Sequence, residues 1–192
     1  MKKSAMKFIS SKHKTIVLII LLAFMGDFVY GQTSNSIYSD SLVGQGNKVH
    51  HFQKFKGKKI LLMVLPSVQN DSSTAMLKTI NSIALNYKGR VQIIGVPSYE
   101  LGYKEDSINN LMKWYQLLLD SSIIITKPVY TNRSSREQQN VPFYWLTHSS
   151  QNKHFYNEIG SGMLFLIDEE GNMKGTLGIW NEQMLNMILQ SN

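Results

Sequence analysis

The feature that most constrains this chain is a pair of apolar runs separated by one helix-length segment. Residues 60–65 (Ile-Leu-Leu-Met-Val-Leu) stop at Pro66, and residues 91–96 (Val-Gln-Ile-Ile-Gly-Val) stop at Pro97. Short, mostly apolar runs of this kind are the pattern of strands covered on both faces. Between them Met76, Leu77, Ile80, Ile83, Ala84 and Tyr87 recur at helical spacing. Ser72 and Ser73 are the expected N-caps, and Gly89 stands where a left-handed C-terminal residue belongs. Strand, helix and strand in that order make a crossover unit, which favours two parallel strands in one sheet.

The remaining segments extend this unit. A second helix is expected over residues 107–119, with Ile108, Leu111, Met112, Tyr115, Leu118 and Leu119 on its apolar side, followed by a short strand at 123–126. Residues 133–140 read as a polar surface loop, and Pro142 suits the first turn of a third helix. Residues 163–168 and 173–177 pair as a hairpin around Glu169, Glu170, Gly171 and Asn172. Asn181 caps a closing helix with Met184, Leu185, Ile188 and Leu189 inward. Near the start, Ile37-Tyr38 and residues 49–52 flank Gly44-Gln45-Gly46-Asn47 as a small hairpin. The sum is an α/β fold, a three-layer sandwich around a mixed central sheet.

The leader is read separately. Lys2, Lys3, Lys7, Lys12 and Lys14 precede the apolar residues 16–25, a length suited to a signal peptide and short for a membrane span of ~20 residues. Val29 and Gly31 fit a signal-peptidase site. The expectation is therefore a signal peptide over residues 1–31 and a single domain over 32–192, beginning at Gln32. The protein would be exported, periplasmic or secreted, with no stable membrane span once the signal is removed. Taking away five lysines and one acid lowers the formal net charge from +7 to +3, so the basic pI of about 9.5 belongs largely to the leader. Nucleic acid is not an expected partner. The chain has no cysteine, so burial must hold the domain together without disulfides.

Several short motifs resemble the glutathione peroxidase family, a branch of the thioredoxin-like fold. Phe55-Lys56-Gly57-Lys58 is similar to the family's turn before the buried strand, and Gly95-Val96-Pro97 with Gly102 to its Gly-Phe-Pro-x-Asn-Gln-Phe-Gly segment. Ile125-Thr126-Lys127-Pro128 resembles a Val-Thr-Phe-Pro run, and Pro142-Phe143-Tyr144 a helix opening of Pro-Leu-Tyr. The stretch from Phe165 to Gly171 resembles the hairpin Phe-Leu-Val-Asp-x-x-Gly. Together these matches cover nearly all of residues 32–192 in order. The resemblance implies peroxide reduction and a link to oxidative stress.

The same resemblance places the family's reactive residues on unreactive ones. Its cysteine or selenocysteine falls on Asn70 counting from the first strand, or on Asp71 counting back from Tyr87. Its Asn-Gln pair falls on Tyr99 and Glu100, and its Trp-Asn pair on Gly160 and Ser161. A thiol peroxidase needs a sulfur or selenium nucleophile that attacks the O–O bond and is then reduced again. Neither an amide nor a carboxylate cycles that way.

Three functional readings follow. In the first, the chain is a catalytically degenerate relative that works as an exported binding or scaffold module, with a protein or small molecule of unknown identity as partner and no cofactor. In the second, Asp71 and Glu100 meet at the carboxyl ends of the two parallel strands and supply acid–base or cation chemistry; otherwise they are solvated loop acids. In the third, it is an accessory thioredoxin-like domain of an envelope redox system. His50, His51, His148 and His154 have no metal-ligand spacing, so no metal is expected. Ser67, Ser72 and Ser73 sit in no Gly-x-Ser-x-Gly turn. Glu105 and Asp106 suit the start of the second helix. Of the ten methionines, Met63 and Met112 are expected in the core, while exposed ones would consume oxidant stoichiometrically. Phe143, Tyr144, Trp145, Phe155 and Tyr156 are expected mainly as core aromatics that could also line a groove.

Overall fold

The computed structural model describes residues 36–103, 108–152 and 159–190. The expected leader, Gln32, Glu105, Asp106, His154, Phe155 and Tyr156 lie outside them. The centre is strand β3 (Lys59–Val64), which pairs in parallel with β4 (Val91–Val96), Leu62 opposite Ile94. Its other neighbour is β6 (Met163–Ile167), antiparallel, which pairs with β7 (Met173–Gly178) in the expected hairpin. The two-residue β5 (Ile124–Ile125) adds to β4 in parallel, giving the order β5-β4-β3-β6-β7. The sheet is mixed, as the crossover and hairpin patterns require.

Alternation along β3 explains the layers. Leu61, Met63 and Leu65 enter one core with Leu77, Ile80 and Tyr115; Ile60, Leu62 and Val64 enter a second with Phe143, Leu146 and Phe165. Ile60 through Leu65 are each at most 1% exposed, and burying a side chain of this size is worth ~1.5–3 kcal/mol. The first face is covered by helices α1 (Asp71–Asn86), α2 (Ile108–Leu118) and a closing helix, α5 (Glu182–Gln190), whose Leu185 and Leu189 point inward. The second face is covered by α3 (Val141–Thr147) and by Ile37, Leu42 and Phe52 of the N-terminal segment. A short helix, α4 (Ser149–Asn152), follows α3. Three layers result.

Four local expectations are corrected. Ile37 and Tyr38 do not form a strand but a 3-10 turn, Ile37–Ser39, because Ile37 N–H donates to Gly171 O at 3.1 Å and its side chain is fully buried. The small hairpin is instead β1 (Ser41–Val43) with β2 (Val49–His51), a sheet of its own. Ser72 and Ser73 are not the caps of α1: Asn70, with extended backbone, accepts from Ser73 N–H at 2.8 Å, which leaves both serines inside the first turn. Residues 133–138 are short 3-10 turns broken at Arg136, whose backbone is not helical, rather than a plain loop, and Gln139 beyond them is buried. Met184 faces outward, 42% exposed, on the polar side of α5. Among the described residues no helix is long and apolar enough to cross a membrane.

Candidate functional site

The carboxyl ends of β3 and β4 and the segment before β6 meet at one end of the sheet. Pro66 cannot donate a hydrogen bond, so the chain leaves β3 there, after Leu65 N–H donates to Val96 O at 2.9 Å. The 66–70 loop is tied down from two sides. Tyr115 Oη donates to Pro66 O at 2.6 Å, and Ser67 Oγ donates to Leu101 O. Burial raises the Tyr115 hydroxyl above its ordinary pKa, as does its neighbour Tyr103, so Tyr115 stays a donor. At the end of this loop Asn70 caps α1, and Asp71 is the exposed first residue of the helix. A negative side chain there suits the helix dipole.

Glu100 dominates the other side. Its Oε2 accepts from Ser98 Oγ at 2.7 Å and Thr131 Oγ1 at 3.3 Å, and its Oε1 accepts from Asn132 N–H at 2.9 Å and from Ser135 Oγ. Thr131 N–H reaches both oxygens at 3.0 Å. Burial alone would push this carboxyl up; the donors from Ser135, Thr131, Asn132 and Ser98 outweigh it and hold the group at about 2, below the ordinary 4.5. Glu100 is therefore the knot that ties the end of β4 to residues 131–135. Asn132 extends the tie, accepting from Ile159 N–H through Oδ1 at 3.3 Å.

The remaining expected positions are structural in their contacts. The Tyr99 ring packs on Tyr130 (4.9 Å between centroids) and edge-on to Tyr103 (6.5 Å). Gly160 and Ser161 immediately precede β6; Met163 N–H donates to Gly160 O at 3.3 Å, and Ser161 Oγ lies 3.9 Å from Met76 Sδ. Gly162 beside them has φ +74, and a Cβ there would meet Met76 Cε at 2.7 Å, so the turn requires glycine.

Asp71 and Glu100 are not brought together by any hydrogen bond, ion pair or shared cavity among the described residues. Neither lines the open groove of about 650 Å³ that runs beside the 66–70 loop, where Ser67, Val68 and Gln69 face Lys113, Trp114 and Leu117. Val68 and Leu117 are 62% and 83% exposed there. Among the described residues no group of three or more metal-ligating side chains occurs. His50 is lowered by burial and by Lys48 and Lys54; His148 stacks on Tyr144 at 3.9 Å. Phe143 and Trp145 are core, whereas Tyr144 is 44% exposed. Met63 and Met112 are buried as expected.

Among solved structures the chain is similar to Trgpx in its apo form, at 14% identity and a TM-score of 0.60, covering 82% of this chain and 95% of that one. T. cruzi GPX1 is similar at 13% identity and a TM-score of 0.56, over 80% and 95%. The fold is that of the glutathione peroxidases. No protein-family model matches the sequence, and neither does any curated protein.

Sequence reasoning singled out Glu100 but missed its partners Thr131, Asn132 and Ser135. The signal was present as a run of hydroxyl and amide residues directly after Pro128-Val129-Tyr130. Such residues supply donors to a carboxylate as readily as they decorate a loop.

Proposed function

We propose that this chain is an exported binding module built on a glutathione peroxidase-like fold and without peroxidase turnover. One observation carries the reading: of the two positions where a reactive sulfur or selenium is expected, Asn70 uses its side chain to cap a helix and Asp71 is that helix's exposed first residue, in a chain with no cysteine. The neighbouring substitutions support it. Glu100 directs both carboxylate oxygens at residues 98 and 131–135, and Gly160 and Ser161 offer no indole or amide side chain to polarise a thiolate. The groove at residues 67–69 and 113–117 gives a partner apolar surface at this same end of the sheet.

The test is to restore the nucleophile. Asn70→Cys and Asp71→Cys each place a thiol at the start of α1, where the helix dipole favours thiolate. Peroxide reduction by either variant, with glutathione as donor, is expected to stay within about tenfold of free cysteine, because positioned partner groups contribute ~10²–10⁴-fold and none is in place. A gain of about a hundredfold or more would mean that the site is still assembled, and the reading would fail.

A further inference from the structure

The closing helix α5 is apolar over a wider arc than its own domain covers. At about 100° per residue, Met187, Met184, Ile188, Leu185 and Leu189 fall side by side across roughly 200°. A helix lying on one core needs an apolar stripe of about 100°. Leu185 and Leu189 are buried and Ile188 is half-buried against the first core. Met184 and Met187 are left exposed, at 42% and 58%, as is Trp180 just before the helix, at 56%. Met184 and Ile188 also line an open groove of about 710 Å³, together with Leu166, Gly175 and Leu177 of the sheet. Stripe and groove make one apolar surface beside β7. Contiguous surfaces of this kind mark association sites, which single exposed apolar side chains do not.

The edge of β7 runs along the same surface. Ile179 N–H donates to Gly162 O at 3.0 Å, so by antiparallel alternation Leu177 faces β6 while Thr176 and Gly178 turn their backbone N–H and C=O outward. The register shift at Leu166/Ile167 leaves Lys174 as an extra residue and limits the free stretch to residues 176–178. Gly178 has no left-handed φ, and a Cβ there would meet nothing within 4 Å. Neither its backbone nor its own domain requires glycine, whereas close approach of another backbone would.

We propose that this surface pairs with itself, joining two copies of the chain about a two-fold axis at Leu177. Thr176 of each copy then stands opposite Gly178 of the other and exchanges backbone hydrogen bonds with it, so that the central sheet continues from one copy into the next. The two α5 helices lie on the same side of that sheet, and Trp180, Met184 and Met187 close over the axis. Charge favours a second copy as the occupant. A two-fold axis sets like groups against like, and α5 is poor in charge, with Glu182 alone among its residues. Lys174 is neutralised by Asp168 at 3.0 Å. The surface shares no residue with the groove at residues 67–69 and 113–117, so the dimer stands or falls apart from the binding-module reading.

Sedimentation equilibrium of protein purified from its host tests this, and a dimer with a dissociation constant of about 1–100 μM is expected. Free chains at that affinity still present Met184 and Met187 to solvent. Met187→Glu changes an exposed position and spares the fold, but it sets two carboxylates near the axis. It should weaken the dimer by about tenfold or more, while Val49→Glu, on β2, should leave it unchanged. Because the chain has no cysteine, Leu177→Cys places a lone thiol on the axis. Facing Cα atoms of a non-hydrogen-bonded pair are about 4.5 Å apart, close enough for a disulfide. Mild oxidation should therefore cross-link Leu177→Cys and not Val49→Cys. A monomer up to roughly 100 μM, including one that binds phosphatidylcholine vesicles instead, would overturn the proposal. So would an undiminished dimer in Met187→Glu, or no cross-link in Leu177→Cys.

Discussion

Five donor groups from Ser98, Thr131, Asn132 and Ser135 converge on the Glu100 carboxylate, and a neutral side chain cannot satisfy them in the same way. Glu100→Gln would restore the amide that the family resemblance assigns to this position, yet turn an NH2 group toward groups that are already donors. The expected loss is about 1–3 kcal/mol in urea unfolding at pH 7. The pH dependence has a definite sign. The carboxyl group titrates lower folded, at about 2, than its ordinary 4.5. Its stabilisation is therefore complete above about pH 4.5 and drains away as pH falls toward 2. Wild type should lose stability over that window more steeply than Glu100→Gln, and parallel curves would show that Glu100 is not the knot described.

Position in the sheet should decide how costly a truncation is. Leu62 is fully buried in β3, with neighbours on both sides of the strand, and Leu62→Ala is expected to cost ~2–5 kcal/mol. Thr176 is half-buried on β7, at the edge of the sheet, and Thr176→Ala should cost ~0.5 kcal/mol or less. Similar costs, read from urea midpoints, would contradict the layer assignment. The same contrast explains which elements were legible. β3, α1 and β4 carry strong periodicity, and the hairpin β6–β7 carries its turn residues, so all four follow from local chemistry. Ile37 and Tyr38 escaped because their conformation is set by a contact with Gly171, far along the chain. Asn70 is the cap although Ser72 and Ser73, just beyond it, have a similar capping preference, so local chemistry alone does not choose among the three. Glu100 was legible as a position but not as a knot, since all its donors except Ser98 lie more than thirty residues away.

For the whole molecule, stability rests on two apolar cores either side of one sheet, with no cysteine to add a covalent tie. That is an unforced choice for a protein proposed to leave the reducing cytosol, where disulfides become available. Export is checked by N-terminal sequencing of protein recovered from its native host: a start near Gln32 is expected, and an intact leader in the cytosol would refute it. The central claim, a peroxidase fold without peroxidase turnover, is tested most directly by counting peroxide consumed per protein over time, with chelator present and glutathione or thioredoxin as donor. Without cysteine, the groups most able to take oxygen from peroxide are methionine sulfurs, and Met184 and Met187 are exposed, at 42% and 58%. Neither donor readily reduces the resulting sulfoxide without a dedicated reductase. The account predicts slow uptake that stops after a few equivalents. Sustained consumption of many equivalents would contradict it.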